Sequence, residues 1–262
     1  MNLSAEIFLH RVWLGCRNLL SSTFRRGFAA WALTVLLLPG CYYSQWSNSI
    51  TGSGRTVNKT LELAGFSKVR AGSAFQVTIT RGDKHSVVVT VDDNILEHLD
   101  VTQSGKTLHL GLKPNLSIRN ATLKVDVVMP DLTSLALGGA SRMTVTGFTS
   151  DKPLDAELGG ASSLGGDIKS GDARFHASGA SKIQLQGSAQ NLRVKAAGAS
   201  NVSLDRFASN DTVVEASGAS HVSVNASGKL DAQASGASSV RYVGTPASVS
   251  SHAAGASSIK QK

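Results

Sequence analysis

The sequence predicts an all-β solenoid, a chain wound into stacked coils. Three observations carry this. The tripeptide Gly-Ala-Ser occurs seven times in the second half, beginning at Gly139, Gly160, Gly179, Gly198, Gly218, Gly236 and Gly255, at intervals of 18 to 21 residues. A fixed period near 20 residues marks a unit that cannot bury its apolar face alone and stacks on its neighbours. Apolar and polar residues alternate along the segments on either side of each tripeptide, which is strand periodicity. Helix-period patterns are nearly absent after residue 40, and only 5% of the chain is aromatic, so the core must be built from Val, Leu, Ile and Ala.

Residues 1–40 read as a targeting segment. Arg25 and Arg26 precede an apolar run from Gly27 to Leu38, long enough for a signal h-region and too short to span a bilayer. The run ends in Leu38-Pro39-Gly40-Cys41, which resembles the lipobox of bacterial lipoproteins, although Pro39 departs from the usual small residue. The resemblance implies cleavage after Gly40 and diacylation of Cys41, and multiple acyl chains give stable anchoring. An ordinary secretory signal is the alternative. Leu14-Gly15-Cys16 lacks a preceding apolar run and is a weaker site. Tyr42, not an acid, follows Cys41 and favours the outer membrane over the inner one. Residues 41–58 read as a polar tether. The two cysteines, Cys16 and Cys41, cannot form a disulfide framework in the mature domain.

The domain is expected over residues 59–262. Its first part, to about residue 130, has period-2 runs with one buried face: Phe75, Val77 and Ile79; Val87, Val89 and Val91; Leu108 and Leu110; Leu123, Val125 and Val127. Arg81-Gly82-Asp83, Ser104-Gly105-Lys106 and Pro130-Asp131 supply the turns, and Asp93 to Leu99 one short helical turn. Three stretches, Gly65-Phe66-Ser67-Lys68-Val69, Phe75 to Gly82, and Asp92-Asp93-Asn94-Ile95-Leu96, followed by the Gly-rich repeat, resemble the auto-transporter adhesin head GIN domain family. The resemblance covers about residues 55–260. It implies a right-handed parallel β-helix, often on a lipoprotein, and carries no catalytic residues.

The repeat coils, about seven of 19–20 residues, occupy about 131–262. With each bend Gly counted as zero, the residues at +4 are Met143, Leu164, Ile183, Val202, Val222, Val240 and Ile259. Even offsets are apolar or small and odd offsets mostly polar, so even positions face the core. Each coil is expected as two short strands meeting at a Gly-centred bend, then a loop to the next coil. The same parity turns Ser141, Ser162, Ser181, Ser200, Ser220, Ser238 and Ser257 inward, where each hydroxyl needs a partner such as a carbonyl at the bend. It turns Ala140, Ala161, Ala180, Ala199, Ala219, Ala237 and Ala256 outward as a smooth strip. That strip reads either as a docking surface for a β-edge or glycan, or as a bend that admits only small side chains. A bend that flips parity, burying Ala and exposing Ser, is the third reading. The last coil has no capping segment in sequence, and Lys260 and Lys262 stand there as guards against edge pairing.

Chemistry-bearing clusters are sparse. Asp155 and Glu157 share an outward face, but the next coil puts Arg174 and His176 at the same offsets, a charge ladder rather than a carboxylate pair. His176 and His252 lie four coils apart, and no metal-ligand spacing, nucleophile elbow, phosphate loop or dinucleotide fingerprint is present. No cofactor is expected. The net charge is +8, and +5 after residue 40, without a basic cluster or interleaved aromatics, which argues against nucleic acid. The sequence points to a non-enzymatic, lipid-anchored envelope protein that binds an envelope or extracellular partner, protein or glycan. A periplasmic scaffold is the alternative, and a polysaccharide-acting enzyme a weaker one.

Overall fold

The computed structural model describes residues 48–262. Nine strands precede the repeat: β1 (Asn48–Thr51), β2 (Thr56–Leu61), β3 (Lys68–Ala71), β4 (Gln76–Arg81), β5 (Ser86–Asp92), β6 (Leu99–Ser104), β7 (Thr107–Leu112), β8 (Leu116–Arg119) and β9 (Leu123–Met129). A 3-10 helix, Asp93–His98, joins β5 to β6. The repeat supplies β10 (Ser134–Leu137), β11 (Arg142–Thr149), β12 (Leu154–Leu158), β13 (Ser163–Lys169), β14 (Ala173–Ala177), β15 (Lys182–Ala196), β16 (Asn201–Ala216), β17 (His221–Ala226), β18 (Lys229–Ala234), β19 (Ser239–Val243), β20 (Ser248–Ala253) and β21 (Ser258–Gln261). The chain is a parallel β-solenoid, as its periodicity requires.

Each bend separates two strands, and each strand pairs in parallel with its equivalents in the coils before and after. Strands approaching the bends form one sheet, through β3, β10, β12, β14, the second halves of β15 and β16, β18 and β20. Strands leaving the bends form the other, through β4, β11, β13, the first halves of β15 and β16, β17, β19 and β21. Val, Leu, Ile, Met, Phe and Ala side chains fill the space between the sheets, and the rings of Phe175 and Phe207 meet edge-on at 5.6 Å. The offset rule holds along the repeat: Met143, Leu164, Ile183, Val202, Val222 and Val240 are all buried.

The first part of the domain winds with the same parity. β3 and β4 form a coil stacked in register on β10 and β11, and Ser73 occupies the place of Gly139. Counted from Ser73, the even offsets are Val69, Ala71, Phe75, Val77 and Ile79, all buried. β7 and β9 stack beneath this coil in parallel. Antiparallel strands then close the N-terminal end: β6 on β7, β5 on β9, and β2 on β5.

Two expectations are corrected. Residues 48–58, placed in the polar tether, are paired: β1 runs parallel to β8, and β2 runs antiparallel to β5. The period-2 pattern is weak there because β2 lies at the margin of its sheet with mostly exposed side chains. The return between coils is not always a loop. β15 and β16 run through it, with Gly187 paired to Phe207 and Ser188 to Ala208, because a bulge at Gln184–Gln186 takes up the extra residue of the longer coil and restores register before the corner.

At the C-terminal end, all six residues of β20 are exposed, including Val249, whose counterpart one coil earlier, Leu230, is buried. Lys262 lies back along the solenoid with Nζ 3.6 Å from Asp205 Oδ1, while Lys260 stays exposed.

Candidate functional site

The bend edge shows what the tripeptide does. The bend glycines have φ between +66° and +75°, a left-handed conformation that side chains other than hydrogen disfavour. From Ala161 onward the N–H of each tripeptide Ala donates to the Gly carbonyl of the coil before, as in Ala199 to Gly179 at 2.8 Å, so the sheet hydrogen-bond ladder continues through the bend. A Cβ on Gly160, Gly179, Gly198, Gly218, Gly236 or Gly255 would lie 2.5 to 2.8 Å from that carbonyl oxygen. Gly139 stacks on Ser73, and the nearest atom to its Cβ would be Ser73 N at 3.3 Å.

All seven tripeptide Ala side chains are exposed, and the Ser side chains turn inward, Ser257 being half-buried. The Ser hydroxyls close the bends by donating to the carbonyl three residues back: Ser141 to Gly138 at 2.9 Å, Ser162 to Gly159 at 2.8 Å, Ser200 to Ala197 at 2.9 Å, Ser238 to Ser235 at 2.9 Å and Ser257 to Ala254 at 2.7 Å. Ser220 reaches Ala196 O instead, at 3.4 Å, and Ser181 Oγ is buried without a partner. The Ala strip is thus smooth and continuous, flanked by two sheet faces of different chemistry.

The outer face of the first sheet is charged. Asp155 is in register with Arg174 and Glu157 with His176. Arg174 Nη1 lies 3.3 Å from Asp155 Oδ1, and Arg193 and Lys195 lie 3.9 and 3.7 Å from the Glu215 carboxylate. Exposed pairs of this kind contribute little to stability. Asp155 is thus held by a cation rather than set beside a second carboxylate.

The outer face of the second sheet carries mainly short hydroxyl and amide groups. Thr78, Thr144, Gly165, Gln184, Ser203 and Ser223 form one column in register, continued by Arg241 and Lys260; beside it Thr80 pairs with Thr146 and Asp167 with Gln186, with a bulge between Val145 and Phe148 separating the two pairs. Gly165 leaves the first column without a side chain. There a notch of about 290 Å³ is lined by Gly165, Gln184, Gln186, Ser203, Asp205 and Arg206. This neutral ladder is absent from the sequence reading, although the Ser, Thr and Gln at odd offsets spell it.

Asp92, Asp93 and Asn94 form a clasp on the segment Thr51–Arg55. Asn94 Oδ1 accepts from Ser53 N, Asn94 Nδ2 donates to Thr51 O, Asp92 Oδ2 accepts from Gly54 N, and Asp93 takes both the Ser53 hydroxyl and the Arg55 guanidinium. The Ser53 hydroxyl, with the Asn94 N–H and Arg55, holds the Asp93 carboxyl below its ordinary value. Among the described residues no group of three His, Cys, Asp or Glu is placed to hold a metal. Gly40 and Cys41 lie outside the described residues.

A family model described as "Putative auto-transporter adhesin, head GIN domain" matches residues 65–246. Among solved structures, a putative adhesin from Bacteroides fragilis is similar at 22% identity and a TM-score of 0.74, covering 81% of this chain and 100% of that one. A putative lipid binding protein from Parabacteroides distasonis gives 17% identity and 0.65, covering 82% and 100%. A putative adhesin from Parabacteroides merdae gives 14% and 0.65, covering 82% and 99%. At these identities the likeness is one of fold. A search of curated proteins returned no match.

Proposed function

The chain belongs to the auto-transporter adhesin head GIN domain family, and on that premise we propose that it is a non-enzymatic binding module of the cell envelope. In this reading it is anchored by lipid at Cys41 and takes its partner on the outer face of the second sheet. The carrying observation is the neutral polar column Thr78, Thr144, Gln184, Ser203 and Ser223, repeated coil upon coil beside the Gly165 notch. Hydroxyl and amide groups both donate and accept, so they match a ligand dense in hydroxyls. The reading therefore commits to a glycan chain lying along the solenoid axis. Each hydrogen bond contributes only about 1 kcal/mol. A repeating face makes many of them at once, which is how weak single contacts give useful affinity.

The charged face supports the non-enzymatic reading, since Asp155 is engaged by Arg174 and the acids do not converge. The test is a glycan array probed with the full chain in detergent, alongside Gln184→Ala/Ser203→Ala. The expected result is retention of a glycan class by the wild type and about tenfold or greater loss in the double variant. No retained glycan, or retention unaffected by the double variant, overturns the proposal.

A further inference from the structure

We propose that the outer face of the first sheet pairs with the same face of a second copy of this chain, about a two-fold axis running along β10. This goes beyond the glycan reading, which concerns the opposite face. The argument starts from three consecutive rungs. Lys68, Ser134 and Asp155 are in register, and so are Arg70, Ala136 and Glu157. A basic rung, a small neutral rung and an acidic rung therefore follow one another. The outer rungs are separated by two strand spacings, about 10 Å. Arg70 and Glu157 do not meet across that rung, and among the described residues Lys68, Arg70 and Glu157 have no ion-pair partner. All three are exposed. A hollow of about 340 Å³ on this face runs from Arg70 over Ser134 and Ala136 and on past Glu157 to Arg174 and Lys195.

A two-fold axis along β10 exchanges the rungs on either side of it. Lys68 then faces Asp155 of the second copy and Arg70 faces Glu157 of the second copy, four opposed pairs by symmetry, while the small β10 rung lets the two sheets approach. The rungs beyond place Arg174 and His176 opposite Thr107 and His109, and Arg193 and Lys195 opposite Ser104 and Thr102 of β6. No acid faces an acid, and no arginine or lysine faces another. Moving the axis to β12 would oppose Lys68 and Arg70 to Arg193 and Lys195, a strongly repulsive register. The charge pattern thus selects one arrangement and rejects its neighbour.

The overlap runs from β6 to β15, seven rungs. At about 4.8 Å per rung and about 16 Å of strand width it covers roughly 500 Å² on each copy, or about 1,000 Å² in all. That is the lower edge of specific interfaces, so the dimer is weak and concentration-dependent. Both second sheets face outward from it.

The test uses the full chain in detergent by sedimentation equilibrium, with Arg70→Glu and Glu157→Arg, surface changes whose fold is checked by circular dichroism. The wild type is expected to show a monomer–dimer equilibrium that weakens in high salt. Each single variant opposes like charges twice and should dimerise about tenfold more weakly or worse. A one-to-one mixture of the two variants restores every opposed pair and should regain wild-type association as a heterodimer. A wild type monomeric at all concentrations, single variants that still dimerise, or a mixture that fails to associate would each overturn the proposal. None of these outcomes depends on glycan binding.

Discussion

Gly198→Ala compared with Gly139→Ala isolates what the stacked bends contribute. Both glycines have positive φ, +74° and +66°, so both substitutions carry the left-handed penalty of about 1–2 kcal/mol. The difference lies in what each Cβ meets. At Gly198 it would sit 2.7 Å from the Gly179 carbonyl oxygen, the atom that accepts the Ala199 N–H at 2.8 Å. Relieving the overlap separates the two coils and breaks that bond, leaving a backbone group unpaired at about 1–3 kcal/mol. At Gly139 the nearest atom is Ser73 N at 3.3 Å, and Ser73 itself tolerates φ +54°. Gly139→Ala should therefore cost about 1–2 kcal/mol and Gly198→Ala about 2–5 kcal/mol. Urea unfolding followed by circular dichroism measures both, and amide exchange near Ala199 reports local opening if unfolding is segmental. Equal costs at the two positions would refute the idea that carbonyl crowding, rather than φ alone, fixes glycine at the bends.

Other outcomes follow from the same geometry. Ser162→Ala removes a satisfied hydroxyl and should destabilise by about 1 kcal/mol, whereas Ser181→Ala removes a buried unpaired one and should be neutral or stabilising, as thermal unfolding will show. The Asp93 carboxyl is lowered by the Ser53 hydroxyl first, so its stabilising effect is full above its ordinary value of 3.8 and disappears as pH falls through the lowered folded value. Asp93→Asn should consequently differ from wild type at neutral pH and converge with it in acid, read as unfolding midpoints across a pH series. Amides of β20 and β21 should exchange fastest in the repeat, because β20 is wholly exposed; slower exchange there than in β14 would contradict that exposure. Cys41→Ser should release the chain from membranes into the soluble fraction, and unchanged fractionation would remove the lipid anchor from the reading.

The repeat was legible because one backbone requirement recurs: every coil from Gly160 onward needs glycine at the same crowded carbonyl, and that leaves a tripeptide in the sequence. The coil formed by β3 and β4 obeys the same parity but was harder to see, since Ser73 has no coil requiring a hydrogen there and Phe75 replaces the usual Ser at the inward position. The placement of residues 48–58 was missed for a different reason. Their hold on the domain is made by backbone pairing and by Asp92, Asp93 and Asn94, about forty residues away, contacts that leave no periodic trace. The neutral and charged faces were written at odd offsets all along, but register between coils, set by returns of unequal length, decides which residues become neighbours.

The carbonyl-to-amide junction at the bend has an evolutionary corollary. Every bend from Gly160 onward sits on its predecessor through the same contact, so any coil can follow any other without a new joint. Duplicating or losing one unit of about 20 residues changes the height of the solenoid by about 4.8 Å and leaves the remaining joints untouched. Length thereby becomes an inheritable setting that gene slippage can step up or down, adding or subtracting one rung of polar surface without redesign of the core.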